Sequence, residues 1–194
     1  MAMTKILRGL SNSVKLDEAL TRILCQVQNI TLHLNIFYDG KSQMHPLDLR
    51  EAITSAQYSL LSFKPHQNFT TREGFVHEIL RLTLLIYLGT LLDESPPGIL
   101  IYDAAGEQLK SLIEIRDQHW LDSKLSLWIM FLAASVVRDL ETKSYFLASA
   151  AGIAEELGIS SWDDVEAIFK SFFWVESIHK ETFKLVWDVL HAPQ

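Results

Sequence analysis

Apolar residues recur every three or four positions along most of this chain, which is the spacing that places them on one face of an α-helix. In the clearest stripe, steps of four and three alternate through Leu16, Leu20, Ile23, Val27, Ile30, Leu34 and Phe37. The stripe predicts an amphipathic helix that ends at Asp39-Gly40. A heptad stripe can form a coiled coil, but three heptads more often belong to one helix of a globular bundle.

The same periodicity predicts five more helices, at about 46–63, 70–94, 103–120, 124–140 and 142–157. Pro46 suits the first turn of the second helix. Thr70 and Glu73 have the spacing of a capping box at the start of the third. The fourth helix is more polar than the others. The second half of the third helix and nearly all of the fifth are apolar on every face, so we expect both at the centre.

The C-terminal tract predicts two further helices and holds three of the five tryptophans. Gly158 stands where a helix would stop, and Ser160 or Ser161 can cap the next one. We expect Trp162, Trp174 and Trp187 to be core anchors of the last two helices. Because no stretch alternates with a period of two, the 194 residues predict one all-α domain. Its architecture would be a single-domain bundle of about eight helices with two buried central helices.

Composition narrows the classes of protein that fit this bundle. The chain is 48% hydrophobic and 21% charged, with a formal net charge of −7, which disfavours direct contact with nucleic-acid phosphates. Its single cysteine, Cys25, excludes an intramolecular disulfide and a cysteine-based zinc site. The longest apolar runs, 82–92 and 125–137, are shorter than the roughly 20 residues of a membrane span. We expect an intracellular protein of the nucleus or cytoplasm, without membrane contact.

Catalytic and metal-binding motifs are missing from the sequence, so we expect no catalytic residue, no metal site and no cofactor. The seven histidines form no HExxH pattern, and there is no P-loop, G-x-S-x-G or G-x-G-x-x-G. His77 and Glu78 point about 100° apart on a helix, which favours a surface or capping role over an acid–base pair. Glu78 can pair with Arg81, and Asp139 and Glu141 lie near Lys143. In both places we expect an exposed ion pair rather than a buried pair that holds another segment.

Three segments resemble one known family. They are Glu78-Ile-Leu-Arg81-Leu-Thr-Leu-Leu-Ile-Tyr87-Leu, then Leu125-Ser-Leu-Trp128-Ile-Met-Phe-Leu-Ala-Ala, and then the tract from Leu157-Gly-Ile-Ser-Ser-Trp162 through Phe172-Phe-Trp174-Val to Leu185-Val-Trp187-Asp. Together they resemble the C-terminal part of the regulatory region of fungal Zn(II)2Cys6 transcription factors, the fungal-specific transcription factor domain of the second type. The resemblance covers about residues 45–190.

The resemblance implies a regulatory module rather than a DNA-binding one. A full member of the family carries six cysteines that hold two zinc ions, and this chain has only Cys25. In full-length members, the regulatory region is associated with dimer or partner contacts and, in some, with sensing small molecules such as sterols. The family-motif positions in this chain are Glu78, Arg81, Tyr87, Trp128, Trp162, Trp174 and Trp187.

Three hypotheses about function stay open on the sequence. The leading one is a regulatory or interaction module of a fungal transcription factor that contacts protein partners, or forms a homodimer, with the 16–37 stripe as its seam. The second is a helical sensor of a hydrophobic small molecule, suggested by the aromatic content. The third is a small biosynthetic cyclase or isomerase, for which the candidate acids and bases are His77, Glu78, Asp117 and His119.

Overall fold

The computed structural model describes residues 15–41, 45–64, 71–92, 99–115 and 121–192. These residues form eight α-helices and no strand, which confirms the predicted all-α bundle. The helices are α1 (Glu18–Tyr38), α2 (Pro46–Ser62), α3 (Arg72–Thr90), α4 (Ile99–Ile115), α5 (Ser123–Val136), α6 (Leu140–Glu156), α7 (Trp162–Phe169) and α8 (Glu176–Leu190).

Helices α3 and α5 lie at the centre of the bundle, as their apolar sequences predicted. Every residue from Leu125 to Ala134 in α5 is buried, and α5 packs against α3, α4, α6, α7 and α8. In α3, burial extends over nearly all of Gly74–Gly89, because α1, α2, α4 and α5 surround it. None of the described helices combines the length and apolarity needed to cross a membrane.

The apolar stripe of α1 is buried inside the chain itself. Leu20, Ile23, Val27, Ile30 and Leu34 are at most 6% exposed, because α2, α3 and α8 cover them. The predicted homodimer seam along this stripe is therefore wrong, since a residue buried within one copy cannot meet a second copy. The helix ends at Tyr38, and Gly40, two residues later, has a φ of 70° that suits a residue without a Cβ.

The boundaries of two helices, α3 and α4, differ from the sequence prediction. Thr71, rather than Thr70, caps α3, because its Oγ1 accepts a hydrogen bond from the Gly74 amide at 3.2 Å. Thr70 itself lies outside the described residues, and the helix ends at Thr90, before the predicted end at 94. Helix α4 begins at Ile99, before the predicted start at 103, and ends at Ile115.

The break between α5 and α6 lies a few residues earlier than predicted, since the sequence suggested helices at 124–140 and 142–157. Val137 is extended, and the carboxylate of Asp103 accepts hydrogen bonds from the amides of Arg138 and Asp139 at 2.7 and 3.3 Å. Asp139 then caps α6 by accepting from the Thr142 amide at 2.8 Å. Leu140 therefore begins α6 rather than ending α5.

Helices α4 and α6 pack closely beside this break, at Gly106. A Cβ placed on Gly106 would lie 2.5 Å from Cγ2 of Val137 and 3.7 Å from Cε2 of Phe146. Val137 is 1% exposed and β-branched, so it has little freedom to move away. Gly152 on α6 offers a comparison, because a Cβ there would meet nothing within 4 Å.

We expect Gly106→Ala to lower the free energy of unfolding, because an overpacking cost of about 1–3 kcal/mol exceeds the helix-propensity gain of up to about 1 kcal/mol. Gly152→Ala should raise the free energy of unfolding by that propensity gain alone. Urea unfolding of both variants and the parent protein measures the difference. Equal stability of the two variants would show that the α4–α6 contact is looser than described.

Candidate functional site

Aromatic side chains from α3, α5, α7, α8 and the segment between α7 and α8 meet in the middle of the bundle. This aromatic cluster consists of Tyr87, Trp128, Phe131, Phe169, Phe173, Trp174, His179 and Phe183. Each member is at most 6% exposed. The ring centroids of Phe131 and Phe169 are 4.8 Å apart, and those of Trp174 and Phe183 are 5.5 Å apart. Such spacings are typical of close-packed aromatic rings, so the rings fill this part of the core.

Tyr87 joins the cluster to α1. Its ring stacks on His179 with centroids 5.3 Å apart and lies 6.0 Å from Trp128. Its hydroxyl lies 2.7 Å from Oγ1 of Thr31, which itself donates to the carbonyl of Val27 at 2.9 Å. Because the Thr31 proton is already used, the Tyr87 hydroxyl is the donor in this bond. Burial raises the pKa of Tyr87, so the phenol stays neutral at physiological pH.

His179 is the one titratable member of the cluster whose ring charge could change near physiological pH. Its Nδ1 accepts a hydrogen bond from the Val175 amide at 3.0 Å, so a neutral ring carries its proton on Nε2. Nε2 lies 3.1 Å from Oγ1 of Thr90, which donates in turn to the carbonyl of Tyr87 at 2.6 Å. Burial lowers the pKa of His179 to about 4, so the ring is neutral at pH 7.

A small groove gives this histidine its access to the surface. It lies between α3, α4, α5 and α8, has a volume of about 290 Å³, and is lined in part by Thr90, Tyr102, Ser135, His179 and Thr182. Both ring nitrogens of His179 are engaged, one by a backbone amide and the other by Thr90. A histidine held in this way stabilises the fold, since it offers no unused lone pair for a proton or a metal ion.

The Glu78–Arg81 pair is partly buried rather than exposed, contrary to the prediction. Nε and Nη2 of Arg81 each donate to one carboxylate oxygen of Glu78 at 2.6 Å. Only 10% of the Glu78 side chain and 17% of the Arg81 side chain are exposed, because α4 packs beside them. The bond to Glu78 raises the pKa of Arg81. This bidentate pair is a structural anchor on α3, and the carboxylate is occupied.

His77 is also buried, at 3% exposure, so of the predicted surface or capping role the surface position is wrong, whereas a contact at a helix start is present. Its Nε2 lies 3.3 Å from the amide nitrogen of Asp17 and 3.2 Å from the carbonyl oxygen of Lys15. The ring therefore holds the backbone at the start of α1, where Asp17 is the N-cap. His77 and Glu78 have separate partners and form no acid–base pair. The other candidates for such chemistry, Asp117 and His119, lie outside the described residues.

The three tryptophans of the C-terminal tract differ in how deeply they are buried. Trp174 and Trp187 are 6% and 5% exposed, which confirms their burial, and Trp187 stacks on the ring of His191 at 3.8 Å. Trp162 is only half-buried, and Nζ of Lys184 lies 5.7 Å from its ring centroid.

The predicted ion pair of Glu141 has a different partner, because Glu141 pairs with Lys110 at 2.8 Å rather than with Lys143. Within the described part of the chain, no three His, Cys, Asp or Glu residues are grouped to hold a metal ion.

Neither a family model, nor a curated protein, nor a solved structure matches the chain. The likeness to the fungal regulatory region therefore stays a prediction from the three sequence segments. The structure brings Tyr87, Trp128 and Trp174, one residue from each segment, into the same aromatic cluster. Glu78 and Arg81 lie elsewhere on α3, beside α4.

Two residues of this site were not singled out from the sequence. Val175 occupies the N-cap of α8 without a side-chain capping bond, and its own amide donates to Nδ1 of His179. In the sequence, the only sign of this contact is that a histidine, His179, follows Val175 by four positions. Thr31 lies on the buried face of α1, but nothing in its neighbourhood along the sequence indicates the contact with Tyr87, which is 56 residues away.

We expect the two partners of the Thr31–Tyr87 hydrogen bond to differ in how much stability is lost when each is replaced. Tyr87→Phe leaves Thr31 bonded to Val27 and should lower the free energy of unfolding by about 1 kcal/mol. Thr31→Val leaves the buried phenol without an acceptor and should cost about 1–3 kcal/mol. The double variant should lose less than the sum of the two single losses, as urea unfolding would measure. Strictly additive losses would contradict the bond.

The lowered pKa of His179 predicts that the folded protein loses stability in acid. In the unfolded chain its pKa returns to about 6.5, so the unfolded state binds more protons once the pH falls below that value. Between pH 6.5 and pH 4 this difference should lower the free energy of unfolding by about 3 kcal/mol. The test is to compare the pH profile of the parent protein with those of His179→Gln and of His33→Gln, an exposed control. A His179→Gln profile parallel to that of the parent protein would contradict the assignment.

Proposed function

We propose that the chain is the regulatory, protein-contacting module of a fungal transcription factor of the Zn(II)2Cys6 class, and that it does not itself bind DNA. The observation that carries this proposal is the convergence of the three motif segments on one cluster. Tyr87, Trp128 and Trp174 lie far apart in the sequence, yet Phe173 contacts the rings of Tyr87 and Trp128, and His179 contacts those of Tyr87 and Trp174. A set of motifs that builds one core supports a common fold with the family it resembles.

The exposed apolar side chains favour a role in protein contact over a role in catalysis. The buried carboxylate of Glu78 is bonded to Arg81, and the ring of His179 is bonded to Val175 and Thr90. Several large apolar side chains, by contrast, are more than 60% exposed on outer helix faces: Leu47, Tyr58, Leu61, Leu140 and Leu185. The net charge of −7 favours protein surfaces over nucleic-acid phosphates.

A reporter assay tests the regulatory role. When the chain is fused to an unrelated DNA-binding domain in a fungal cell, transcription of the reporter should change relative to that domain alone. Trp174→Ala, which removes a ring from the aromatic cluster, should abolish the effect while the fusion still occupies its operator. An effect that is the same with and without Trp174, or no effect of the intact chain, would contradict the proposal.

A binding experiment tests the second half of the proposal. The isolated chain should bind duplex DNA no more tightly than about 100 µM in fluorescence anisotropy, even at low salt, because its net charge is −7. Tight binding that weakens steeply with added salt would show a cationic surface that the sequence does not indicate.

A further inference from the structure

The groove beside His179 carries more hydrogen-bond acceptors than donors. It lies between α3, α4, α5 and α8, and four of the residues that line it bear hydroxyls: Thr90, Tyr102, Ser135 and Thr182. We call it the hydroxyl groove. Its volume of about 290 Å³ corresponds to about ten water molecules, so the groove suits a small ligand.

Three of these hydroxyls already use their protons inside the protein. Each donates to a backbone carbonyl of its own helix, at 2.6 Å for Thr90, 2.7 Å for Ser135 and 2.9 Å for Thr182. A hydroxyl has one proton and two lone pairs. Each of these three oxygens can therefore meet a ligand only as an acceptor.

The imidazole of His179 adds no donor to this set. Its Nδ1 accepts from the Val175 amide, and the proton on Nε2 faces the hydroxyl oxygen of Thr90, 3.1 Å away. That contact uses one lone pair of Thr90 and leaves the other. The phenol of Tyr102 can donate or accept, so it sets no preference of its own.

The end of α5 adds backbone acceptors. In a continued α-helix, the amides of Arg138 and Asp139 would donate to the carbonyls four residues earlier. Both amides donate instead to the carboxylate of Asp103, at 2.7 and 3.3 Å. The carbonyls that lack these amides belong to Ala134 and Ser135, and Ser135 is one of the residues that line the groove.

A ligand for the hydroxyl groove has to bring the donors itself. A primary ammonium group has three N–H donors and no acceptor, whereas a carboxylate or a phosphate offers chiefly acceptors. Its positive charge suits a chain with a net charge of −7. Thr182 is exposed, so an ammonium beside it stays partly hydrated and needs no buried counter-ion. Apolar side chains that can pack against a short alkyl chain also line the groove: Leu92, Val136 and Ile178.

We propose that the hydroxyl groove binds a primary ammonium group on a short alkyl chain, with the hydroxyl oxygens of Thr90, Ser135 and Thr182 as acceptors. The inference goes beyond the proposed function and stands on the groove alone, so either can fail without the other. Because water competes for the same acceptors, each hydrogen bond gives only a small net gain. We expect a dissociation constant on the order of 1 mM for a small amine.

Nuclear magnetic resonance titration of the isotope-labelled chain tests the proposal at neutral pH. Propylammonium chloride should shift the amide signals of Thr90, Ser135 and Thr182 until they saturate. Two probes of related size separate charge from donors. Sodium propionate has the opposite charge, and tetramethylammonium chloride has a positive charge but no N–H donor, so neither should shift these signals at the same concentrations. No saturable shift with propylammonium, or an equal shift with either other probe, would overturn the proposal.

A pair of variants tests the acceptors. Thr182→Val keeps the branched shape but removes the hydroxyl oxygen, so it should raise the dissociation constant of propylammonium at least about fivefold. Thr54→Val on α2 is the matched control, because the Thr54 hydroxyl also donates to its own helix, at 2.9 Å, and is not among the groove's lining residues. It should leave the binding unchanged. Urea unfolding checks that both variants fold, and equal binding by the two variants would contradict the role of Thr182.

The source of the ammonium group is decided by a third probe. Nα-acetyl-lysine methylamide presents the same group on a peptide backbone, as a lysine of another protein would. If it binds more tightly than propylammonium, the groove receives a lysine side chain, and if it binds more weakly, the groove receives a free amine. If neither probe binds, the proposal is wrong. None of these measurements uses the reporter, so their failure is distinct from a failure of the regulatory role.

Discussion

The side chain of Tyr87 is the point on which the packing of this bundle depends. Its ring contacts Trp128 on α5, Phe173 before α8 and His179 on α8, while its hydroxyl bonds to Thr31 on α1. A phenol suits this position because it combines a large apolar ring with one donor at its tip. The burial of the ring stabilises the centre, and its hydrogen bond to Thr31 joins α3 to α1, as the contacts of His77 do at the start of α1.

The contact between Tyr87 and His179 links this core to the start of α8. Val175 is the N-cap residue of α8, and its amide donates to Nδ1 of His179, one turn further along the helix. The same ring must be neutral, because it stacks among aromatic rings with almost no exposure to water. The His179 side chain therefore has to bond the N-cap amide of α8, fill its place among the aromatic rings and stay neutral, all at the same time. This is why a residue with the chemistry of a general base serves here as a structural group.

The helices were predictable from the sequence because their apolar spacing is local, and the errors occurred where distant contacts decide the structure. The break at 137–139 depends on the carboxylate of Asp103, about 35 residues earlier, which accepts from the Arg138 and Asp139 amides. The burial of Glu78 and Arg81 depends on α4, and that of the α1 stripe depends on α2, α3 and α8. Periodicity shows that a helix has an apolar face, but it does not show what covers that face.

The residues that resemble the fungal regulatory family and the residues that would contact a partner are different ones. Tyr87, Trp128 and Trp174 are buried, so their identity constrains the fold and no partner can touch them. Leu47, Tyr58 and Leu61 are exposed on α2 and contribute little to the core, so their identity is free to follow whatever binds there. A core of this kind can be retained while its outer faces change. It follows that a resemblance carried by core residues bears on the fold, whereas the choice of partner has to be argued from exposed surfaces such as the outer face of α2.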